Sequence, residues 1–570
     1  MSRMRHMDLS NDFDVLLVNP RNPPSGSAES AEFTCENLAL AYLSSALATA
    51  GARTLIVDCD LDKVGASEIA ALCERERPVL VGITALSRNA GDAIEIAREV
   101  KRRCPGTRTV LGGLHFTYCG EKVLAKVPEI DFVIRGEGEF SMIALYRYLK
   151  DGVGTRLQIG GLLYRSQDGS VVRIPATGAI ENLDALPFPD RQVLARAVRK
   201  GIQPAIPVLS SRGCYARCLF CNASHVYNEG GGRPWRHRSA SNVVDEIEGL
   251  VDRYAADADP VILFYDDTFI GPGNKARRHA YELADEIIRR DVRIMFETFL
   301  RADTFHDDYE LVRRLREAGM VRVFMGIEAS DDQELKLFRK AVTVHQIDQA
   351  LDNLKTNNVT TPSSGFIMFL PYSSFTSLRR NALYLRKIHH ASVWNLSTRL
   401  DVYGGNEFVP YLREQGLLTG ADEYDGVYEY KFRDARVARF AAYMDISQND
   451  VVQRLDTVGR FVEFNFANMS YELSRIGIAC DWDESALIDR AQKDIQALAF
   501  DFFMNAMERF ERNDPDIERG PEKDRFFDTL SERIDALESS YARFLARANA
   551  ALEGRDAPAG QAPAESAHAA

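Results

Sequence analysis

No run in this 570-residue chain approaches the roughly 18 consecutive apolar residues that a membrane-spanning helix requires. The opening "MSRMRHMDLSNDFD" also lacks an apolar signal core, so the cytoplasm is the expected location and no membrane partner is expected. Cysteine is scarce: nine residues in all, too few for a disulfide framework. Basic residues number 70 against 83 acidic ones, and the formal charge of −13 argues against nucleic acid as the main partner. Two phosphate cradles are missing as well. No Gly-x-Gly-x-x-Gly follows the first strand-like run and no Gly-x4-Gly-Lys-Ser/Thr occurs, which argues against a conventional dinucleotide or nucleoside-triphosphate site.

What is present describes an ordinary soluble chain, 45% apolar and 27% charged, long enough for about two to four domains. After a leader (1–13), "DVLLVNP", "RTLIVDCD", "PVLVGITAL", "RTVLGGLH" and "DFVIRGEGE" alternate with helical segments. That rhythm over 14–150 predicts a doubly wound parallel sheet of Rossmann-like type, with ligands at the carboxyl ends of its strands. Residues 151–203 read as a linker with a hairpin, "GGLLYRSQDGSVVRIP", turning at Asp-Gly. From 204 to 405 six β/α units, "AIPVLSS" through "SVWNLSTRLDVY", predict a partial (β/α)6 TIM barrel whose chemistry belongs at the C-terminal strand ends. The fold class is therefore α/β with a C-terminal helical region over 406–554 and a disordered tail over 555–570. "FNFANM" (464–469) and "FDFFM" (500–504) are read as helix-core packing, with capping of a substrate cavity as the alternative.

Six cysteines (Cys35, Cys59, Cys73, Cys104, Cys119, Cys480) are scattered and read as packing residues. The other three crowd into "SSRGCYARCLFCNASH", as Cys214-x3-Cys218-x2-Cys221, directly after the first barrel strand. A structural zinc site needs a fourth ligand, and His225 is in place to offer one. A ferredoxin-like cluster needs four cysteines, and a redox dithiol only two. Three thiolates also suit a cubane with one iron left open to a small-molecule ligand, and this reading fits the spacing and position best. A zinc-stabilised binding module without catalysis stays open as the alternative.

The stretch resembles the signature of the radical S-adenosylmethionine (SAM) enzymes, Cys-x3-Cys-x-aromatic-Cys, with Phe220 in the aromatic slot. The resemblance implies a [4Fe–4S] cluster on Cys214, Cys218 and Cys221, with SAM on the open iron and Phe220 beside it. It implies SAM contacts at other strand ends too: Asp266 and Asp267 near the ammonium, Glu297 and Arg301 at the mouth, and Glu328 of "MGIEAS" on the ribose. "YGGNEF" (403–408) would lie near the adenine.

"NPRNPP", "VGITALS", "VLGGLHFT" and "DFVIRGEGE", taken with the cysteines, resemble the cobalamin-dependent radical SAM family over roughly residues 14–405. By that resemblance Gly112, Gly113, Gly136 and Glu137 lie along the cobalamin nucleotide tail, and His115 is a tail or loop contact. The Asp-x-His-x-x-Gly loop of methionine synthase-like domains is missing, and the loop after the first strand holds no histidine. Leu86 and Ser87 are then the candidates beside the lower face of cobalt. The implied activity is a class B methyltransferase using cobalamin, SAM and the cluster, with a flavodoxin or ferredoxin as electron donor and a small molecule or peptide as substrate. A cobalamin-dependent oxidoreductase or cyclase is the runner-up. A tRNA methylthiotransferase is disfavoured, because the front cysteines lack its spacing and the C-terminal end is acidic.

Overall fold

The computed structural model describes residues 12–22, 35–176, 178–202, 205–226, 231–254, 260–361, 364–420 and 427–552. The leader, the tail and most of the loop after the first strand lie outside these residues. In the front half, β1 (Val15–Asn19), β2 (Thr54–Asp58), β3 (Leu80–Thr84), β4 (Arg108–Gly112) and β5 (Phe132–Ile134) form a parallel sheet in the order β2-β1-β3-β4-β5. Alternate residues of β1 enter opposite cores: Leu16 and Val18 one, Val15 and Leu17 the other. Helices on both faces explain why its strands are continuous apolar runs. The strand order reverses between β1 and β3, so the crevice at their carboxyl ends is the ligand-binding edge of such a sheet.

The hairpin expected in the linker is present, but it is not a free linker. Its strands, β6 (Leu162–Arg165) and β7 (Val171–Arg173), extend the front sheet antiparallel beyond β5. Leu162 and Leu163 are fully buried, and their apolar side chains have nowhere else to go.

The second half opens with β8 (Ile206–Val208) and a short ribbon of β9 (Ser211–Gly213) against β10 (Trp235–His237). β11 (Val261–Phe264), β12 (Met295–Leu300), β13 (Met320–Glu328) and β14 (Ser364–Phe366) complete a parallel sheet in the order β14-β13-β12-β11-β8. The sixth barrel strand is a correction. "SVWNLS" is helical over Val393–Ser397, because Ser392 caps it by accepting the Asn395 N–H at 3.1 Å. Only an isolated bridge, Phe369 to Arg399, remains of that strand. β15 (Val402–Tyr403) instead joins a small antiparallel sheet with β16 (Leu418–Thr419) and β17 (Val427–Tyr430).

Beyond lie helices 435–443, 450–475, 483–511 and 522–552, the last three matching their apolar periodicity, whereas β16 and β17 are strands inside the stretch from 406 expected to be helical. "FDFFM" is core: Phe502 stacks on Phe526 at 4.1 Å and Phe503 meets Phe440 at 5.0 Å. "FNFANM" divides. Phe466 packs on Phe544 at 4.8 Å, whereas Phe464 and Asn468 turn to the barrel. No helix of the described residues is long and apolar enough to cross a membrane.

A buried ion ladder ties the two halves. Arg191 pairs with Glu36 at the start of a front-domain helix and with Glu246 of a barrel helix at 2.6 Å, and Glu246 also takes Arg238 at 2.5 Å. Removing Arg191 strands the buried Glu36 carboxylate and leaves Glu246 with Arg238 alone, which costs about 3–5 kcal/mol. Arg191→Met should therefore lower the denaturation midpoint clearly in chemical unfolding. An unchanged midpoint would show that the halves are held elsewhere.

Candidate active site

Parallel pairing brings the C-terminal ends of β8 and β11–β14 to one edge, where the following loops carry the cysteines, Tyr265–Asp267, Arg301–Asp303 and the end of β13. Burial along these strands alternates with period two. Ile262, Phe296, Val323 and Met325 are sealed against helices, while Leu263, Phe299, Phe324 and Gly365 keep accessible surface. One sheet face therefore lines an open lumen. Tyr265 stands at its rim. It is 54% exposed, yet burial pushes its hydroxyl pKa up, as in a deep recess that water enters and protein surrounds.

The cysteine loop is latched from several sides. Asp266, expected at the SAM ammonium, is a correction: one oxygen accepts the N–H groups of Ser210 (2.9 Å) and Ser211 (3.0 Å), and the other accepts Ser210 Oγ–H at 2.5 Å. Burial raises its pKa to about 7 against those hydrogen bonds. It holds the backbone that leads into Cys214. Asp267 is exposed at the mouth and accepts the Gly213 N–H at 3.1 Å. Further along, the Leu219 N–H donates to the Phe338 carbonyl (2.8 Å), and Asn406 Nδ2 donates to the Phe220 carbonyl (2.5 Å). The Phe220 ring meets Phe338 edge to face at 5.4 Å.

Cys214 and Cys218 are buried and Cys221 half-buried. Burial pushes the Cys214 thiol up and the Cys221 thiol to about 12, and the three sulfurs are within electrostatic range of one another. Arg301 Nη1 donates to Cys218 Sγ at 3.6 Å. Arg301 is itself held by the Lys340 carbonyl at 2.5 Å, by Asp303 at 3.0 Å and by the Tyr215 hydroxyl at 3.2 Å. Among the described residues no three His, Cys, Asp or Glu side chains converge tightly enough to hold one ion. A cubane attaches its thiolates to different irons, so three spaced thiols on one latched loop suit a cluster better than a single ion. Arg301 supplies a cation beside its sulfurs.

Glu328 ends β13 in the left-handed region (φ 68°), where the β13–β14 register shifts. Such strain in a non-glycine residue is a mark of functional sites. Its carboxylate pairs with Lys340 Nζ at 2.9 Å and lies over two glycines. A Cβ at Gly326 would come within 2.5 Å of it, and one at Gly365 within 3.1 Å.

On the front sheet, Leu86 is 43% exposed after β3. Gly112 ends β4, and Gly113 (φ 89°) begins the next helix, where a Cβ would lie 2.6 Å from Thr84 Oγ1. This close-packed, side-chain-free edge fits a bulky ligand laid over it. His115 is buried with Nδ1 3.1 Å from Ser87 Oγ, so the two groups support the loop from beneath. Gly136 (φ 73°) turns against the Val226 carbonyl, just past the cysteines. Glu137 is the second correction. Rather than lining a nucleotide tail, its buried carboxylate bridges Arg212 and Arg236, each at 3.0 Å, and accepts the Ile180 N–H at 2.6 Å. Burial opposes its ionisation, but Arg212 and Arg236 hold it below the usual carboxylate range. "YGGNEF" packs against the front domain. A Cβ at Gly404 would meet Cys119 Sγ at 2.6 Å and one at Gly405 the Tyr118 ring, so these glycines let the front helix reach the cysteine loop. There the Tyr118 hydroxyl donates to the Asn222 carbonyl at 2.9 Å. Sequence reading misses Arg212 and Arg236, although the run "RPWRHR" is unusually basic for an apolar neighbourhood.

Comparison with known proteins matches residues 25–145 to the B12 binding domain model and residues 208–380 to that of the radical SAM superfamily. An uncharacterized methyltransferase of Pyrococcus horikoshii is 30% identical over 348 residues, 60% of this chain and 70% of that one. The chain belongs to the cobalamin-dependent radical SAM family. Its cofactors are cobalamin, SAM and a [4Fe–4S] cluster. The anaerobic magnesium-protoporphyrin IX monomethyl ester cyclase of Rubrivivax gelatinosus, 31% identical over 363 residues, is matched over 61% of its length and 61% of this chain. In fold, this cobalamin-dependent radical SAM protein is similar to the radical enzyme OxsB (TM-score 0.68, 17% identity, 97% of this chain and 81% of that one). It is also similar to the methyltransferase TsrM from Kitasatospora setae (TM-score 0.57, 21% identity, 72% of this chain and 81% of that one).

Asp266→Ala leaves two backbone N–H groups and a hydroxyl without their acceptor, at about 1–3 kcal/mol for each buried group. Iron retained after anaerobic gel filtration should fall while corrin content holds. Full iron content would show that Asp266 does not latch the loop.

Proposed function

We propose that this protein is a class B radical SAM methyltransferase that places a methyl group on an unactivated carbon of a small-molecule or peptide intermediate of secondary metabolism. The observation supporting this most strongly is that the strand-end edge of the front sheet approaches the cysteine loop and the barrel mouth, with the Tyr118 hydroxyl donating to the Asn222 carbonyl at 2.9 Å. Arg88, in the loop after β3, lies within electrostatic range of both Tyr265 at the barrel rim and Tyr403. When bound, the cluster supplies an electron, SAM a radical source and methyl donor, and cobalamin a methyl carrier.

The chain's own residues prepare the chamber. Tyr265, Phe299 and Phe324 form an aromatic wall, with ring centroids 5.9 Å and 5.5 Å apart along the row, an apolar surface for a substrate to lie against. Arg301 holds positive charge against Cys218. Glu328 and Lys340 set a polar rim above the wall. With His115 turned onto Ser87, the exposed Leu86 leaves an apolar neighbour for the corrin face. A flavodoxin or ferredoxin is the proposed electron donor.

The cyclase reading is kept because of the 31% identity to the Rubrivivax gelatinosus enzyme. Loaded enzyme given methyl-labelled SAM, a reductant and candidate substrates should form labelled product together with 5′-deoxyadenosine. Deoxyadenosine with a converted but unlabelled substrate would replace methyl transfer by cyclisation or rearrangement.

A further inference from the structure

The aromatic wall is not the last feature of that sheet face. Below Phe299 and Phe324, on the same sheet face, stand Arg322 and Glu297, paired at 3.1 Å across β12 and β13; Glu297, expected at the mouth, lies instead toward the N-terminal end of its strand. Helix 450–475 closes the barrel beneath them. Phe464 lies under the guanidinium at 3.7 Å from its ring centroid, and Arg322 Nη1 donates to the Phe464 carbonyl (3.1 Å) and to Asn468 Oδ1 (3.3 Å). Arg322 is 2% exposed, and its other terminal nitrogen, Nη2, has no acceptor among the described residues. A buried guanidinium N–H without a partner is costly and rare.

Glu463 adds a second unmatched group. It comes from the same helix, within electrostatic range of Arg322 and Arg460, and keeps accessible surface. No hydrogen bond reaches its carboxyl among the described residues. Burial raises its pKa to about 7, so near neutrality it both accepts and, when protonated, donates. Arg460 is mostly exposed and paired with Asp456, leaving Arg322 as the buried cation of the floor.

We infer that this floor is a subsite for a carbonyl oxygen, of a carboxylate or an amide, at the end of the substrate, with the Arg322 guanidinium as its donor, Glu463 beside it and the aromatic wall against its apolar body. The inference rests on the substrate entering the lumen, as in the proposed function, and it adds what that substrate must carry. From floor to rim, Glu297 to Arg301 is four residues of strand, roughly 13 Å at about 3.3 Å per residue. A flat or aryl group joined to a polar end by a short chain fills that length.

The test is isothermal titration calorimetry of the full-length, cofactor-loaded enzyme with 4-phenylbutyrate and 4-phenylbutyramide across pH 6 to 8. Binding of at least one probe is expected, weakened tenfold or more in Arg322→Lys, which keeps the charge and loses the forked donors. The acid should bind more weakly as pH rises and Glu463 ionises within range of Arg322, and Glu463→Gln should flatten that dependence. Glu463 reaches accessible surface, so Glu463→Gln still reads the subsite if Arg322→Lys does not fold. Absence of binding by both probes, or binding unaltered in the variants, overturns the subsite. Methyl transfer is not read in this experiment, so failure of the reaction proposal leaves its outcome intact.

Discussion

The carboxylate of Glu137 sits between the guanidinium groups of Arg212 and Arg236, and the geometry of the active site depends on that contact. Glu137 follows the last parallel strand of the front sheet, and Arg212 stands two residues before Cys214. One buried ion cluster thus fixes the corrin-binding edge against the cysteine loop. Arg212 also pairs with Glu139 at 2.7 Å, so the cluster holds two acids against two bases. Buried ion pairs of this kind add little net stability, but displacing one partner strands a charge in a dry interior. The contact is better understood as setting register than as strengthening the fold.

Around that anchor the site separates into parts with different work. Backbone latches at Asp266, Asp267 and Asn406 position the loop that carries the three thiols. Glycines at 113, 326, 365, 404 and 405 stand where a side chain would collide, and they let the two halves and the Glu328 carboxylate approach closely. The lumen supplies the third part, an aromatic shaft with a polar rim and a polar floor. The C-terminal helices close that floor, which gives a role to a region whose sequence matches neither domain model.

Local chemistry is legible in the sequence, and partnership at a distance is not. The cysteine triplet declares itself because cluster ligation demands a fixed short spacing. The parallel sheets are equally plain, since apolar runs alternating with amphipathic helices have few other solutions. Asp266 and Glu137 read as cofactor contacts because a strand-end acid looks the same in sequence whether it faces a ligand or protein groups far along the chain. The partners of Glu137 lie 75 and 99 residues away. "SVWNLS" reads as a strand from its Val and Trp, but a serine cap outweighs their propensity. The hairpin is visible, while the edge on which it docks is a matter of tertiary packing alone.

The central claim is that corrin and cluster share one chamber, held in register by Glu137. It is tested most directly by electron paramagnetic resonance of the loaded enzyme with the cluster reduced and the corrin as cob(II)alamin. The account expects two signals split or broadened by mutual dipolar coupling, and a loss of that coupling in Glu137→Ala. Two independent, unperturbed signals in the native protein would contradict it.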